Sequence, residues 1–201
     1  ITYSPWLRNL TDDIFTGTVS YMNRFSENAA WGADFKYFSL GQIDLTDSGG
    51  NPTGIINPNE FVFTGSYALK LSETFSMGVS LKYLRSNLAF TGTTSTLQPI
   101  NSFGVDVSGY YQSEEENYGT FNGRYRFGFN VANIGPKVSY VPGEEDFIPT
   151  NLKIGGGFDF ILDDYNTIST TLEFTKLLVP YPQTDGSDED ISWVSGIFSS
   201  F

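Results

Sequence analysis

Residues 59–83 place the strongest constraint on what this chain can fold into. From Asn59 to Leu71, Phe61, Phe63, Gly65, Tyr67, Leu69 and Leu71 share one face of an extended chain, and Glu60, Thr64, Ser66 and Lys70 share the other. A period of two belongs to the β-strand, whose successive Cβ atoms point to opposite faces. After Ser72-Glu73-Thr74 the period returns, with Phe75, Met77, Val79, Leu81 and Tyr83 set against Ser76, Gly78, Ser80 and Lys82. The two segments read as a hairpin.

The same alternation predicts strands at 13–25 (Phe15, Val19, Tyr21, Phe25) and 29–39 (Trp31, Ala33, Phe35, Tyr37), joined by Ser26-Glu27-Asn28. Further strands are expected at about 101–112, 122–133, 150–162 and 167–177, and a last one from near Ser192 into Phe201. Ile1 to Trp6 reads as the end of a strand begun upstream, so the chain is expected to start partway through its sheet.

Connection lengths narrow the architecture. Short turns at 26–28, 72–74 and 163–166 alternate with long Gly/Pro/Asn-rich connections at 41–58, 87–100, 134–149 and 178–191. Outer-membrane barrels show this pattern, with short periplasmic turns and longer extracellular loops. The connection at 113–121, with Glu114-Glu115-Glu116, is longer than its place requires, and the one from Arg8 to Asp12 is shorter. Strands of about 11 residues tilted near 45° span roughly 25 Å, the height of the apolar band of such a barrel. A soluble β-sandwich also alternates, because one face packs on a core and the other meets water. Aromatic residues near strand ends (Trp6, Phe25, Trp31, Tyr83, Tyr110, Tyr111) favour the barrel, where amphipathic rings form interfacial girdles. The expected fold is therefore all-β, an antiparallel transmembrane outer-membrane β-barrel, with residues 1–201 as one barrel domain.

Composition agrees. Of 201 residues, 16% are aromatic and 17% charged, with 21 glycines and no cysteine or histidine. No stretch approaches the roughly 20 apolar residues of a membrane-spanning helix, whereas barrel strands need only about 9–11 residues with polar lumen positions. The net charge of -12, with 11 scattered Lys and Arg, excludes nucleic acid as a partner. The sequence opens at Ile1 with no basic n-region or apolar h-region, so any signal peptide is expected to have been removed or to lie outside these residues, and localisation rests on the strand pattern.

Without histidine, Ser-His and Cys-His nucleophilic sites, imidazole-bound zinc and the usual neutral-pH base are excluded. Carboxylates remain: Glu114 to Glu116, Glu144-Glu145-Asp146, Asp163-Asp164 and the run Asp185 to Asp190, all in predicted connections. Adjacent loop acids are ordinarily solvated charge. Asp185, Ser187, Asp188 and Asp190 offer oxygen ligands for calcium but lack the EF-hand spacing. Gly155-Gly156-Gly157 lies within a strand with no helix following, which suits close packing or a bend in the wall, not a phosphate loop. Asp34, Lys36, Lys82, Arg124 and Arg126 face the polar side, where they line a pore or pair with one another. No catalytic, metal or cofactor residue is assigned, and the chain reads as a non-enzyme.

Six strings, in order, carry a resemblance: YSPWL at 3–7, FSLGQI at 38–43, NPNEF at 57–61, NIGPKVSY at 133–140, FIPTNLKIGG at 147–156 and KLLVPYP at 176–182. Together they resemble the PorV family of type IX protein secretion, within the FadL-like superfamily. Tyr181 departs from the small polar residue commoner between the two prolines. The resemblance implies a fourteen-stranded barrel, of which about nine strands are visible here, so the chain is an incomplete part and Phe201 is not its natural end. It also implies a non-catalytic outer-membrane role. The implied partners are the giant translocon barrel, secreted cargo with a C-terminal signal domain, the surface attachment complex and outer-membrane lipid, with no cofactor. A FadL-like channel for hydrophobic small molecules is the alternative that shares the fold. Partner-binding residues are not assigned. The long loops offer a docking surface stiffened by Pro52, Pro58, Pro99, Pro142, Pro149, Pro180 and Pro182.

Overall fold

The computed structural model describes residues 1–9, 11–88, 90–91, 96–180 and 191–200. Among the described residues the chain is all-β apart from one short helix. Its main strands are β1 (Thr2–Pro5), β2 (Ile14–Arg24), β3 (Ala29–Leu40), β6 (Asn59–Lys70), β7 (Phe75–Asn87), β10 (Ile100–Gln112), β12 (Asn122–Ile134), β13 (Asn151–Ile161) and β14 (Thr167–Leu177). They pair in that order as one antiparallel sheet, and a short β11 (Glu116–Asn117) adds to β12. The long connections carry two small hairpins, β4 (Ile43–Thr46) with β5 (Pro52–Ile56) and β8 (Phe90–Thr91) with β9 (Thr96–Leu97). Sequential neighbours pair throughout the main sheet, so chain direction alternates and the connections fall alternately at its two ends.

Register carries the period of two across the sheet. Trp31 stands opposite Tyr67, and Tyr67 opposite Val79; Val79 faces Val107, and Val107 faces Val131. One face is therefore apolar over its whole width, and it is open to the surroundings. Leu81, Phe103 and Phe127 are each more than half exposed. Buried apolar residues, by contrast, are few among those described: Ala29, Ile100, Ala132 and Leu178. A sandwich would need a second sheet stacked about 10 Å from this face. Among the described residues the other sheets are the two small hairpins, so the apolar face has no protein partner.

Aromatic rings form two bands on that face. Toward the long-connection end run two ring series, Tyr3–Phe15–Tyr37 (5.3 and 5.9 Å between centroids) and Phe35–Phe61–Tyr83–Phe103 (5.7, 6.1 and 5.3 Å). Toward the short-turn end lie Tyr21 with Trp31, Phe25 with Tyr67, and Tyr111 with Tyr125. Beyond the first band, Tyr83 Oη and Arg85 Nη1 both donate to Asn101 Oδ1, at 2.7 and 3.2 Å. Tyr110, expected among the girdle residues, lies instead on the polar face, because its neighbour Tyr111 takes the apolar side opposite Phe127.

Glycines fit rings to this surface. A Cβ at Gly109 would stand 2.3 Å from the Phe129 ring, so that ring lies across bare backbone. Phe127 covers Gly156 in the same way, which gives the glycine run at 155–157 a packing role within β13.

Two expectations are corrected. The expected last strand from Ser192 is not formed among the described residues: Trp193–Ser199 forms helix α1, with Ser192 as N-cap accepting the Ser195 N–H. Its apolar residues at 193, 194, 197 and 198 follow helical spacing, which decides the local structure. β7 also runs past its expected end at Tyr83 to Asn87, because Ser86 pairs with Glu60 on one side and Ile100 on the other.

Candidate functional site

The polar face carries its charges as neighbours along the wall. Arg126 Nη2 lies 2.8 Å from Asp159 Oδ1, Arg124 Nη2 lies 3.4 Å from Asp159 Oδ2, and Ser169 Oγ donates to Asp159 at 2.7 Å. Lys82 Nζ is 2.6 Å from Asp106 Oδ2, and Lys153 Nζ is 3.2 Å from Glu173. Asp34 accepts a hydrogen bond from Ser20 Oγ, while Lys36 stands between Thr18 and Val62 with no ion pair among the described residues. Of the five charges singled out from sequence, three are thus paired. Their partners Asp106 and Asp159 were missed because each is a lone acid within an apolar-looking strand.

The long connection at 135–149, here called the strap, gives the long-connection end its structure. At its root the β10–β12 register shifts between Val105 and Val107, and Asn133 takes a left-handed conformation (φ 59°). Asn133 N–H donates to Asp106 Oδ1 at 2.8 Å, and Lys82 Nζ donates to Asn133 Oδ1 at 2.9 Å. Thr150 Oγ1 donates to the Asn133 carbonyl at 2.7 Å, and Leu178 N–H donates to the Thr150 carbonyl at 2.8 Å. Gly135 passes so close to the Phe103 carbonyl that a Cβ would stand 2.2 Å from it. Only glycine fits that approach.

From this root the strap folds over the polar face. Ile148 and Pro149 close a cavity of about 140 Å³ against Val62, Leu84 and Ser102. Val62 and Leu84 pair with each other and are apolar residues on the otherwise polar face, directly under the strap. That break in alternation was the sequence signal for it. Val138 and Asp146 bridge antiparallel, closing the strap as a small hairpin, and Lys137 Nζ lies 4.4 Å over the Phe147 ring. Gln98 N–H donates to the Tyr140 carbonyl. α1 packs beside the strap, with Gly196 against Phe147 and Pro180.

Other connections at this end are fixed similarly. Asp13 accepts from Thr11 Oγ1 and, at 2.6 Å, from the Gln42 N–H, which hold its carboxyl below the usual carboxylate range. Gly41 (φ 80°) allows that approach, since a Cβ there would stand 2.8 Å from the carboxylate. Leu40 N–H donates to the Pro58 carbonyl, and Ser86 Oγ to Glu60. β4–β5 projects from this end with Ile43 and Ile55 exposed.

The acidic candidates do not gather at one site. Glu144 to Asp146 sit in the strap; at the opposite end Glu115, in the connection that leads into β11, and Asp163-Asp164, in the turn before β14, line one open pocket of about 370 Å³ with Arg124. Asp163 accepts from Asn166 Nδ2 and from two turn N–H groups, which keep its carboxyl below the ordinary range. No grouping of three or more potential metal-ligating residues occurs among the described residues. Asp185 to Asp190, Tyr181 and Pro182 lie outside the described residues.

The six strings noted in the sequence fall at one place in the fold. Tyr3–Leu7, Phe38–Ile43, Asn57–Phe61, Asn133–Tyr140, Phe147–Gly156 and the described part of 176–182 all sit at or near the long-connection end. They contribute the Asn133 bulge, the Gly135 approach, the Asp13–Gln42 contact and the Leu178–Thr150 bond.

Fold and site together define an antiparallel all-β wall with one apolar exposed face, one charge-paired face and structured loops at one end. The family model for type IX secretion system protein PorV matches residues 1–184. The chain belongs to the PorV family and has its role in type IX secretion. No curated protein matches the chain significantly.

Proposed function

We propose that this chain forms part of an outer-membrane β-barrel that acts in type IX secretion without catalysing a reaction. In this reading it engages the translocon barrel and the C-terminal signal domain of cargo, and passes cargo to the surface attachment machinery. The observation that carries the proposal is the family match over a sheet whose apolar face is exposed across its whole width. Exposed apolar surface on that scale needs lipid or protein to cover it. Strands of 11–13 residues (β1 apart) reach about 36–43 Å, or roughly 25–30 Å when tilted near 45°, which fits an outer membrane. The Tyr and Trp bands then lie where the headgroups begin. In this orientation the strap, β4–β5 and the neighbouring loops face the cell exterior and supply the docking surface.

The test is a mild-detergent affinity pull-down of the full-length protein from its native membrane, with mass spectrometry of what accompanies it. Recovery of a very large barrel protein, or of exported proteins sharing a C-terminal domain, supports the proposal. A lone barrel carrying a lipid-like ligand would replace it with the FadL-like channel.

A further inference from the structure

The polar face carries hydroxyls, paired charges and bare backbone. Its middle is lined by small hydroxyls such as Ser66 and Ser80, whose oxygens are 2.8 Å apart, and by bare backbone at Gly128, Gly155 and Gly157. Over those glycines lies an open groove of about 310 Å³. Lys82, Arg124, Arg126 and Lys153 pair with acids on the same wall, so no chain need cross the interior to neutralise them.

The two ends differ. At the long-connection end Ile148 and Pro149 of the strap lie over the wall, and three buried residues, Ser102, Thr150 and Leu178, sit beneath or beside them. α1 packs against Phe147. At the opposite end the turns close on themselves, with Ser26 N–H donating to the Ala29 carbonyl, Ser72 N–H to that of Phe75 and Leu162 N–H to that of Asn166. Connections of about three or four residues cannot reach across a lumen, since the extended chain gains only about 3.3–3.6 Å per residue. The longer connection at 113–121 returns along β12 through β11, with Ser113 N–H donating to the Tyr125 carbonyl.

We propose that the polar face lines a blind, water-filled vestibule, open at the short-turn (periplasmic) end and closed at the long-loop (exterior) end by the strap. This rests on the barrel reading above. The chain would not conduct solutes through its lumen, and access to the interior would come from the periplasmic side alone.

Residues 1–201 contain no cysteine, so single reporters placed there test this once any cysteine elsewhere in the full-length protein has been replaced by serine. In the full-length protein, reconstituted in liposomes in each known orientation, Ser80→Cys reports the polar face and Val79→Cys the apolar face. A charged, membrane-impermeant maleimide should modify Ser80→Cys at least about tenfold faster from the short-turn side than from the long-loop side. Val79→Cys should be protected from both. Replacing 137–147 by a short Gly-Ser linker should make Ser80→Cys react from both sides. Equal modification from the two sides with the strap intact, or protection from both, overturns the vestibule. If Val79→Cys reacts as fast as Ser80→Cys, the barrel reading itself has failed. The intact-strap measurement decides the question even where the linker variant does not fold.

Discussion

Asp106→Ala should be among the most costly single changes on the polar face. The Asp106 carboxylate accepts the Asn133 N–H at the bulge and holds the Lys82 ammonium, whose side chain is 24% exposed. An orphaned, largely buried N–H costs about 1–3 kcal/mol. Lys82 keeps Asn133 Oδ1 as an acceptor and some contact with solvent, so its share is about 1 kcal/mol, well below the cost of stranding a fully buried charge. The sum, about 2–4 kcal/mol, lowers the folded-to-unfolded ratio roughly 30- to 700-fold. Equilibrium urea unfolding of the full chain in lipid vesicles, followed by tryptophan fluorescence, measures it. If the three groups act as a unit, Asp106→Ala with Lys82→Met should lose at least about 1 kcal/mol less than the two single changes summed. A loss under about 0.5 kcal/mol for Asp106→Ala, or strict additivity, would refute the view that this cluster anchors the strap root.

Gly135→Ala drives a Cβ into the Phe103 carbonyl and toward Ile148, so the strap should lift, with limited proteolysis cutting within 137–147 while the strands stay protected. Gly109→Ala should cost about 1–3 kcal/mol by pushing the Phe129 ring off the backbone, and Phe129→Leu in the same chain should recover much of that loss. Asp163 is held below its ordinary range by Asn166 and turn N–H groups, so its contribution is complete above the unfolded carboxylate value, near 3.9, and fades as pH falls through the lower folded value. The protection of the Asn166 amide, its exchange rate measured against the intrinsic rate at the same pH, should therefore fall under acid, and Asp163→Ala should show the weakened protection already at neutral pH. Unchanged exchange in that variant would rule out the turn lock.

The strands were legible in the sequence because burial on one face imposes a period of two that side-chain identity records directly. Phe61 through Leu69, and Phe75 through Tyr83, alternate almost without fault, and the observed registers follow. The ends were harder. Where Val62 and Leu84 break the alternation, the cause is contact with Ile148 and Pro149, residues distant in sequence, and no local pattern encodes that meeting. The ion pairs were half visible for the same reason: Arg124, Arg126 and Lys82 stood out, while Asp159 and Asp106 acquire their role from strand pairing. α1 was misread as a strand because expectation followed the preceding alternation, although its own apolar spacing was helical. The six family strings pointed to a kinship, and the structure shows much of what they encode: glycines, an asparagine bulge and a threonine that shape one end of the wall.

The Asn133 bulge also bears on how a meander of similar strands finds its alignment. A slip of one residue turns every apolar side chain to the wrong face and is rejected at once. A slip of two keeps the faces correct, so alternation cannot distinguish it from the native pairing. Between β10 and β12 the bulge can, because Asp106 meets a left-handed Asn133 at one alignment alone, and any shift takes that N–H away from the Asp106 carboxylate and Asn133 Oδ1 away from Lys82. The kink thus works as an indexing notch, selecting among insertion products that hydrophobicity would accept equally.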